Sequence, residues 1–155
     1  MQFNVSQLLK EHVGSKRNYE MNYSPEEGGY SHPVSGKVEF VRTNRSILVR
    51  GTLKTEAELT CSRCLVSFKC SVTINMEEEF FPIIDVLSGT EVDIPDDTEG
   101  FIIDEHHILD LTEAIRQYTI LNTPMRPVCK PDCAGLCPQC GKNLNRGTCQ
   151  CKMIY

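Results

Sequence analysis

Nine cysteines in a chain of 155 residues constrain this sequence more than any other feature. Eight of them form four closely spaced pairs: Cys61 and Cys64, Cys129 and Cys133, Cys137 and Cys140, and Cys149 and Cys151. Such pairs indicate disulfides in a small secreted protein and metal binding in a reducing compartment. Residues 1–10 show no basic region followed by an apolar stretch, so we expect no secretion signal and a cytoplasmic protein. The paired cysteines are therefore interpreted as metal ligands.

The clearest metal motif is a zinc knuckle with the sequence Cys137-Pro-Gln-Cys140-Gly141. Two intervening residues allow both thiolates to reach one tetrahedral ion, and the glycine permits a tight turn whose amides face the sulfur atoms. The spacing disfavours the competing interpretation, reduced cysteines without metal. We therefore predict a structural Zn²⁺ site with cysteine ligands within residues 125–155.

Spacing alone leaves open which cysteines share an ion. One scheme has two sites of four cysteines, the first with Cys61, Cys64, Cys129 and Cys133 and the second with Cys137, Cys140, Cys149 and Cys151. It leaves out Cys70, which falls on the apolar face of a predicted strand and is interpreted as a small buried hydrophobic residue. The alternative is a single C-terminal site, with Cys61 and Cys64 outside it.

A redox function for Cys61 and Cys64 is a further alternative. Reactive pairs of this kind place a thiolate at a helix N-terminus in a βαβ context. The sequence around this pair has strand patterns instead, and no helix pattern follows Cys64 directly. A thiol oxidoreductase is therefore disfavoured.

The fold is predicted from alternation of apolar and polar residues between residues 34 and 81. In residues 65–76 the apolar positions are Val66, Phe68, Cys70, Val72, Ile74 and Met76. A period of two with turn residues between the runs predicts strands with one buried face. We expect an α+β fold in which an antiparallel β-meander curls toward a barrel.

The segments that flank the meander carry weaker signals. Residues 3–9 predict a short strand and then a helical turn capped by Ser6. Residues 14–33, with Pro25, Gly28 and Gly29, predict a polar loop or hairpin, and residues 82–100 predict a long exposed loop. One main helix is expected from a capping Asp110 to the residues before Pro124. Its buried face is predicted to contain Leu111, Ile115, Tyr118 and Leu121. Two domains follow: a β-rich core over residues 1–124, and a zinc-binding tail over residues 125–155 packed on that core.

Charge is distributed unevenly along the chain. Residues 77–113 contain thirteen acidic residues and no lysine or arginine, whereas the two ends are mildly basic. The acidic segment suggests a basic protein partner. The basic residues of the tail (Arg126, Lys130, Lys142, Arg146 and Lys152) give only weak support for direct RNA binding, because few aromatic residues accompany them.

The sequence shows no catalytic pattern. His106 and His107 lie in an acidic surface stretch, and four thiolates close a zinc site against a substrate. No apolar run is long enough to span a membrane. We therefore expect a protein that is not an enzyme, with no small-molecule substrate and no membrane association.

The cysteine motifs resemble those of the YceD family of bacterial and plastid proteins. The matching strings are Cys61-Ser-Arg-Cys64-Leu65, Gly135-Leu-Cys137-Pro-Gln-Cys140-Gly141-Lys-Asn-Leu-Asn145 and Cys149-Gln-Cys151. The resemblance implies a non-enzymatic accessory factor in ribosome biogenesis that supports accumulation or processing of large-subunit ribosomal RNA. Its partners would be that RNA or its assembly intermediates. The alternative is a zinc-stabilised protein–protein adaptor that uses the acidic segment and makes no direct RNA contact.

Overall fold

The computed structural model describes residues 1–24, 32–94 and 101–151. Its elements in chain order are β1 (Gln2–Asn4), α1 (Ser6–Lys10), β2 (Lys16–Tyr23), β3 (Val34–Arg42), β4 (Ile47–Thr60), β5 (Ser67–Pro82), β6 (Ile102–Ile103), β7 (Ile108–Asp110) and α2 (Thr112–Asn122). Neither helix has the length and apolar character that crossing a membrane requires. Within the described residues, strands are far more extensive than helices.

The seven strands form one mixed sheet in the order β1-β7-β6-β5-β4-β3-β2. Strand β3 pairs antiparallel with β2 and with β4, as the predicted meander requires. The predicted antiparallel meander describes only part of the sheet, because β6 pairs parallel to β5, with Phe81 opposite Ile102. With two residues, β6 is too short to produce a periodic sequence signal.

The sheet curls so that its two edge strands meet. The ring of Phe3 on β1 lies 4.9 Å from that of Tyr19 on β2 and 5.1 Å from that of Phe40 on β3, measured between centroids. Phe40 is fully buried. Among the described residues β1 and β2 share aromatic contacts but no ladder of hydrogen bonds. The predicted curl is therefore confirmed, as an open sheet.

The described residues fall into two compact units. Unit 1 contains residues 1–56 and 71–122, and unit 2 contains residues 57–70 and 123–155. The middle strands β4 and β5 contribute residues to both units. All eight paired cysteines belong to unit 2. The division at residue 124 that the sequence suggests stays a prediction.

Several local predictions need correction. Ser6 does not cap α1, since its hydroxyl and amide both donate to Asn4 Oδ1, at 2.7 and 3.1 Å. Of the loop or hairpin predicted for residues 14–33, residues 16–23 agree with the hairpin, because they form β2, pair along their whole length with β3 and bury Met21. Pro25, Gly28 and Gly29 lie outside the described residues.

The main helix begins two residues after Asp110, whose carboxylate accepts the Thr112 amide at 2.8 Å as predicted. Its buried face consists of Ala114, Ile115 and Thr119. Leu121 was expected on that face but is 77% exposed, because the helix turns this position toward solvent. In the acidic stretch before the helix, residues 95–100 are outside the described residues.

The pairing of β3 with β4 depends on a glycine. A Cβ atom on Gly51 would lie 2.3 Å from the carbonyl oxygen of Lys37 and 2.8 Å from the Cα of Val38. We expect Gly51→Ala to lower the free energy of unfolding by about 1–3 kcal/mol, since the strands must move apart. Urea denaturation of this variant beside Lys54→Ala, an exposed change on β4, measures the effect. Equal midpoints for the two variants would contradict the close approach.

Candidate metal centres

The structure gathers the eight paired cysteines into two groups of four. The first tetrad is Cys61, Cys64, Cys129 and Cys133, and the second tetrad is Cys137, Cys140, Cys149 and Cys151. Within each tetrad all Sγ atoms lie within 4.8 Å of one another. This is the grouping of the two-site scheme, and Cys61 and Cys64 do not stand apart from the C-terminal cysteines. Metal occupancy of these groups stays a prediction.

The sulfur separations suit a tetrahedral ion. The Sγ atoms are 3.8 Å apart for Cys61 and Cys133 and 3.6 Å apart for Cys64 and Cys129. In the second tetrad, Cys137 and Cys149 are 3.4 Å apart. Four sulfurs bound to zinc at about 2.3 Å would be about 3.8 Å from one another. The distances exceed the roughly 2.05 Å of a disulfide.

The two Cys-x-x-Cys pairs adopt the same turn. The amide of Cys61 donates to the Val66 carbonyl at 2.9 Å, and the amide of Leu65 donates to the Cys61 carbonyl at 3.0 Å. The corresponding bonds in residues 137–142 run from Cys137 to Lys142 and from Gly141 to Cys137, both at 2.9 Å. We call residues 61–66 the first knuckle and residues 137–142 the second knuckle. Each knuckle therefore directs two cysteines toward one point.

The residue after each pair has a left-handed backbone. Gly141 has φ +69°, which costs a glycine nothing, whereas Leu65 has φ +58°. A left-handed conformation costs a residue with a Cβ roughly 1–2 kcal/mol. The glycine at position 141 makes the second knuckle recognisable in the sequence. The first knuckle has Leu65 at the corresponding position, so its sequence pattern is less specific.

The knuckles stabilise the thiolate form of their leading cysteines. Burial opposes the charge on Cys61, but backbone N–H groups of Cys129, Cys64 and Arg63 outweigh it and lower the Cys61 pKa to about 6. Backbone N–H groups of Cys140 and Gln139 likewise lower the Cys137 pKa to about 6. Both side chains are thus prepared for metal binding, which requires thiolates.

One cysteine of each tetrad, Cys129 in the first and Cys151 in the second, shows the opposite pKa shift. Burial and hydrogen bonds with Cys64, Cys133 and Cys61 raise the Cys129 pKa to about 12. A hydrogen bond with Cys140, followed by burial, raises the Cys151 pKa to about 12. Without a cation the four thiolates of a tetrad cannot all ionise, because like charges at this separation repel. A divalent cation removes that obstacle, and four sulfur donors in a tetrahedron suit zinc.

The two tetrads differ in exposure. Cys61, Cys64 and Cys133 are at most 4% exposed and pack against Val66, Phe68 and Leu136. In the second tetrad only Cys137 is buried, Cys140 is exposed, and the other two are half-buried. The first tetrad lies in the interior of unit 2, and the second lies at its surface.

The remaining candidate residues lie outside both tetrads. Cys70, expected to be buried, is half-buried on β5. The turn after Cys64 leads directly into β5 at Ser67, so the described structure lacks the helix that a redox pair would use. His106 is exposed and lies 3.6 Å from a carboxylate oxygen of Glu105. Among the basic tail residues, Lys130 pairs with Asp132 at 3.6 Å, and Lys152 is outside the described residues.

Sequence reasoning missed one residue at these centres. Asn145 stands in the matching string but received no function there, and its side-chain amide lies 3.3 Å from Cys133 Sγ. Two residues earlier, the Asn143 side-chain oxygen accepts a hydrogen bond from the backbone N–H of Asn145 at 2.9 Å. The paired asparagines in Gly-Lys-Asn-Leu-Asn were the available signal.

Comparison with known proteins gives one family. A family model described as large ribosomal RNA subunit accumulation protein YceD matches residues 49–154, which include both knuckles. Uncharacterized proteins of Mycobacterium tuberculosis and Mycobacterium bovis are 37% identical over 109 residues, covering 70% of this chain and 49% of theirs. The chloroplastic YCED homolog 1 of Arabidopsis thaliana, a large ribosomal RNA subunit accumulation protein, is 27% identical over 140 residues, 77% of this chain and 44% of its own. The chain thus spans about half the length of these relatives. No solved structure matches it.

Proposed function

The chain belongs to the YceD family, and from that premise we propose that it supports accumulation or processing of large-subunit ribosomal RNA without catalysing a reaction. The observation that carries this proposal is the family match over residues 49–154, which contains both cysteine tetrads. The name of the Arabidopsis relative points to the same process. The cytoplasm is the proposed location, because a reducing compartment keeps the thiols available for metal.

Both tetrads are proposed to bind Zn²⁺ as structural sites. The donor chemistry, the sulfur separations and the repeated knuckle turn support this assignment. Zinc held by four thiolates has no open position for a substrate, so its contribution would be to fold unit 2. The surface that contacts ribosomal RNA or an assembly intermediate would then depend on metal.

A genetic complementation experiment tests the proposal. Deleting the gene is expected to lower the ratio of large-subunit to small-subunit ribosomal RNA, and the unmodified gene is expected to restore it. A Cys64→Ser gene should fail to restore the ratio, because the first tetrad loses a buried ligand. Cys70→Ser, which changes a cysteine outside both tetrads, is the matched control and should restore it. An unchanged ratio in the deletion strain would refute the proposal.

A pull-down with and without ribonuclease separates RNA association from the adaptor function. Association through RNA is supported if large-subunit RNA is retained and the proteins retained with it are lost after ribonuclease treatment. Proteins that persist after ribonuclease would favour the adaptor, with the acidic residues 77–113 as the partner surface. As a control, the Cys70→Ser protein should retain the same RNA and proteins as an equal amount of the unmodified protein.

A further inference from the structure

Asn145 lies between the two tetrads. It belongs to the segment that joins Cys140 to Cys149, two ligands of the second tetrad. Its side chain nevertheless contacts the first tetrad, because Asn145 Nδ2 donates to Cys133 Sγ at 3.3 Å. The amide of Ala134, next to Cys133, donates back to Asn145 Oδ1 at 2.9 Å. One carboxamide thus holds both a ligand and the backbone beside it.

The segment that carries Asn145 is also bound to the residues after Cys133 through its backbone. The amide of Leu144 donates to the Gly135 carbonyl at 2.9 Å, and Asn143 forms an antiparallel bridge with Leu136. Asn143 Oδ1 also accepts from Asn145 Nδ2 at 3.0 Å, which fixes the carboxamide orientation. Residues 143–145, in the segment between Cys140 and Cys149, are therefore bound to residues 134–136, which directly follow Cys133.

A hydrogen bond to a thiolate ligand changes the behaviour of that ligand. It orients the sulfur and shares its charge, and loss of such outer partners typically weakens metal binding by about 10–100-fold. Closing the second tetrad places Asn145 beside Cys133, and forming the first tetrad fixes Cys133 where Asn145 can reach it. We propose that Asn145 couples the two metal sites, so that metal at either one raises the affinity of the other.

This inference rests on the proposed metal binding and adds regulation of the same sites. Coupling of binding affinities is reciprocal, so one measurement direction is sufficient. If a substitution merely made the segment between Cys140 and Cys149 more flexible, it would weaken metal binding at the second tetrad and leave metal binding at the first unchanged. Lys142 provides the control for segment flexibility. Its Nζ donates to the Thr148 carbonyl at 2.7 Å and so stabilises the same segment without contacting the first tetrad through this bond.

The test is a titration of the full chain with Co²⁺ against a competing chelator, with thiolate-to-cobalt absorption as the readout. The Cys149→Ser chain, whose second tetrad is incomplete, reports the first site alone. Its cobalt affinity is expected to be about tenfold below that of the first site in the unmodified chain. In an Asn145→Ala background the same serine change is expected to have no further effect. Lys142→Ala should leave the first site unchanged.

Asn145→Asp separates the sulfur contact from the backbone anchor. Aspartate can still accept the Ala134 amide but cannot donate to Cys133, so this variant should weaken the first site at least as much as alanine. The coupling is refuted if Asn145→Ala leaves the first site unchanged, or if Cys149→Ser has the same effect with and without Asn145. Failure of the unmodified chain to take up Co²⁺ would overturn the metal assignment as well. Two ions bound independently would overturn the coupling alone.

Discussion

Removing metal with a strong chelator is expected to unfold unit 2 while the strands of unit 1 stay folded. Among the described residues of unit 2, every buried apolar residue except Ala57 is a cysteine of a tetrad. Structural zinc contributes apparent binding free energies of about 10–16 kcal/mol near neutral pH in small domains. An interior built mainly from cysteines has little other apolar burial to replace that contribution. Unit 1 has its own core, with Phe40, Ile74 and Leu109 fully buried.

Amide hydrogen exchange followed by mass spectrometry measures this result by region. Peptides that contain the knuckle amides of Leu65 and Gly141 should lose protection when the chelator is added, and peptides from β3 should keep it. Protection should return when Zn²⁺ is restored.

Single cysteine variants supply the matched comparison. Cys133→Ser should reproduce the loss of protection around the first knuckle without a chelator, because it removes a proposed ligand that is 3% exposed. Cys70→Ser removes a thiol outside both tetrads and should exchange like the unmodified chain. Knuckle amides that stay protected after complete metal removal would show that unit 2 folds without metal.

The sequence was most informative where a residue type within a motif indicates the backbone conformation. In the second knuckle, Gly141 indicates a left-handed turn, so the turn could be predicted from the residues alone. Leu65 has the same conformation in the first knuckle, and nothing in its chemistry predicts a positive φ. For the grouping of the cysteines, the sequence offered the observed scheme beside a single C-terminal site and could not choose between them, because the choice depends on how the β4–β5 turn meets residues 129–133.

The sheet shows a similar division. Long alternating runs predicted β3, β4 and β5, since burial of one face fixes their pattern. For the residues of β2 the sequence did not decide between a loop and a hairpin, because they are mostly polar and only Met21 is buried. The parallel strand β6 was missed because pairing over two residues, Ile102 and Ile103, is decided by tertiary contacts rather than by local preference.

Metal release is expected to occur in two phases of unequal rate. A chelator can approach the second tetrad through the exposed Cys140, whereas three cysteines of the first tetrad are at most 4% exposed. Release from the first tetrad therefore requires a local opening of unit 2. If this opening costs about 1.4 kcal/mol more, release is slower by about tenfold. Excess chelator with an absorbing metal indicator should record one ion per chain in each phase.

Pulsed thiol alkylation during the release assigns each phase to its tetrad. Labels should appear first on Cys140 and its partners in the second tetrad, and only later on Cys61 and Cys64, since a bound or buried thiolate is protected from the reagent. The Cys70→Ser chain is the reference, because every remaining cysteine then belongs to a tetrad. Early labels on Cys61 and Cys64 would mean that the interior tetrad opens as readily as the surface one. Slow release from the first tetrad, by contrast, would make it the permanent metal site of unit 2 and the second tetrad the exchangeable one.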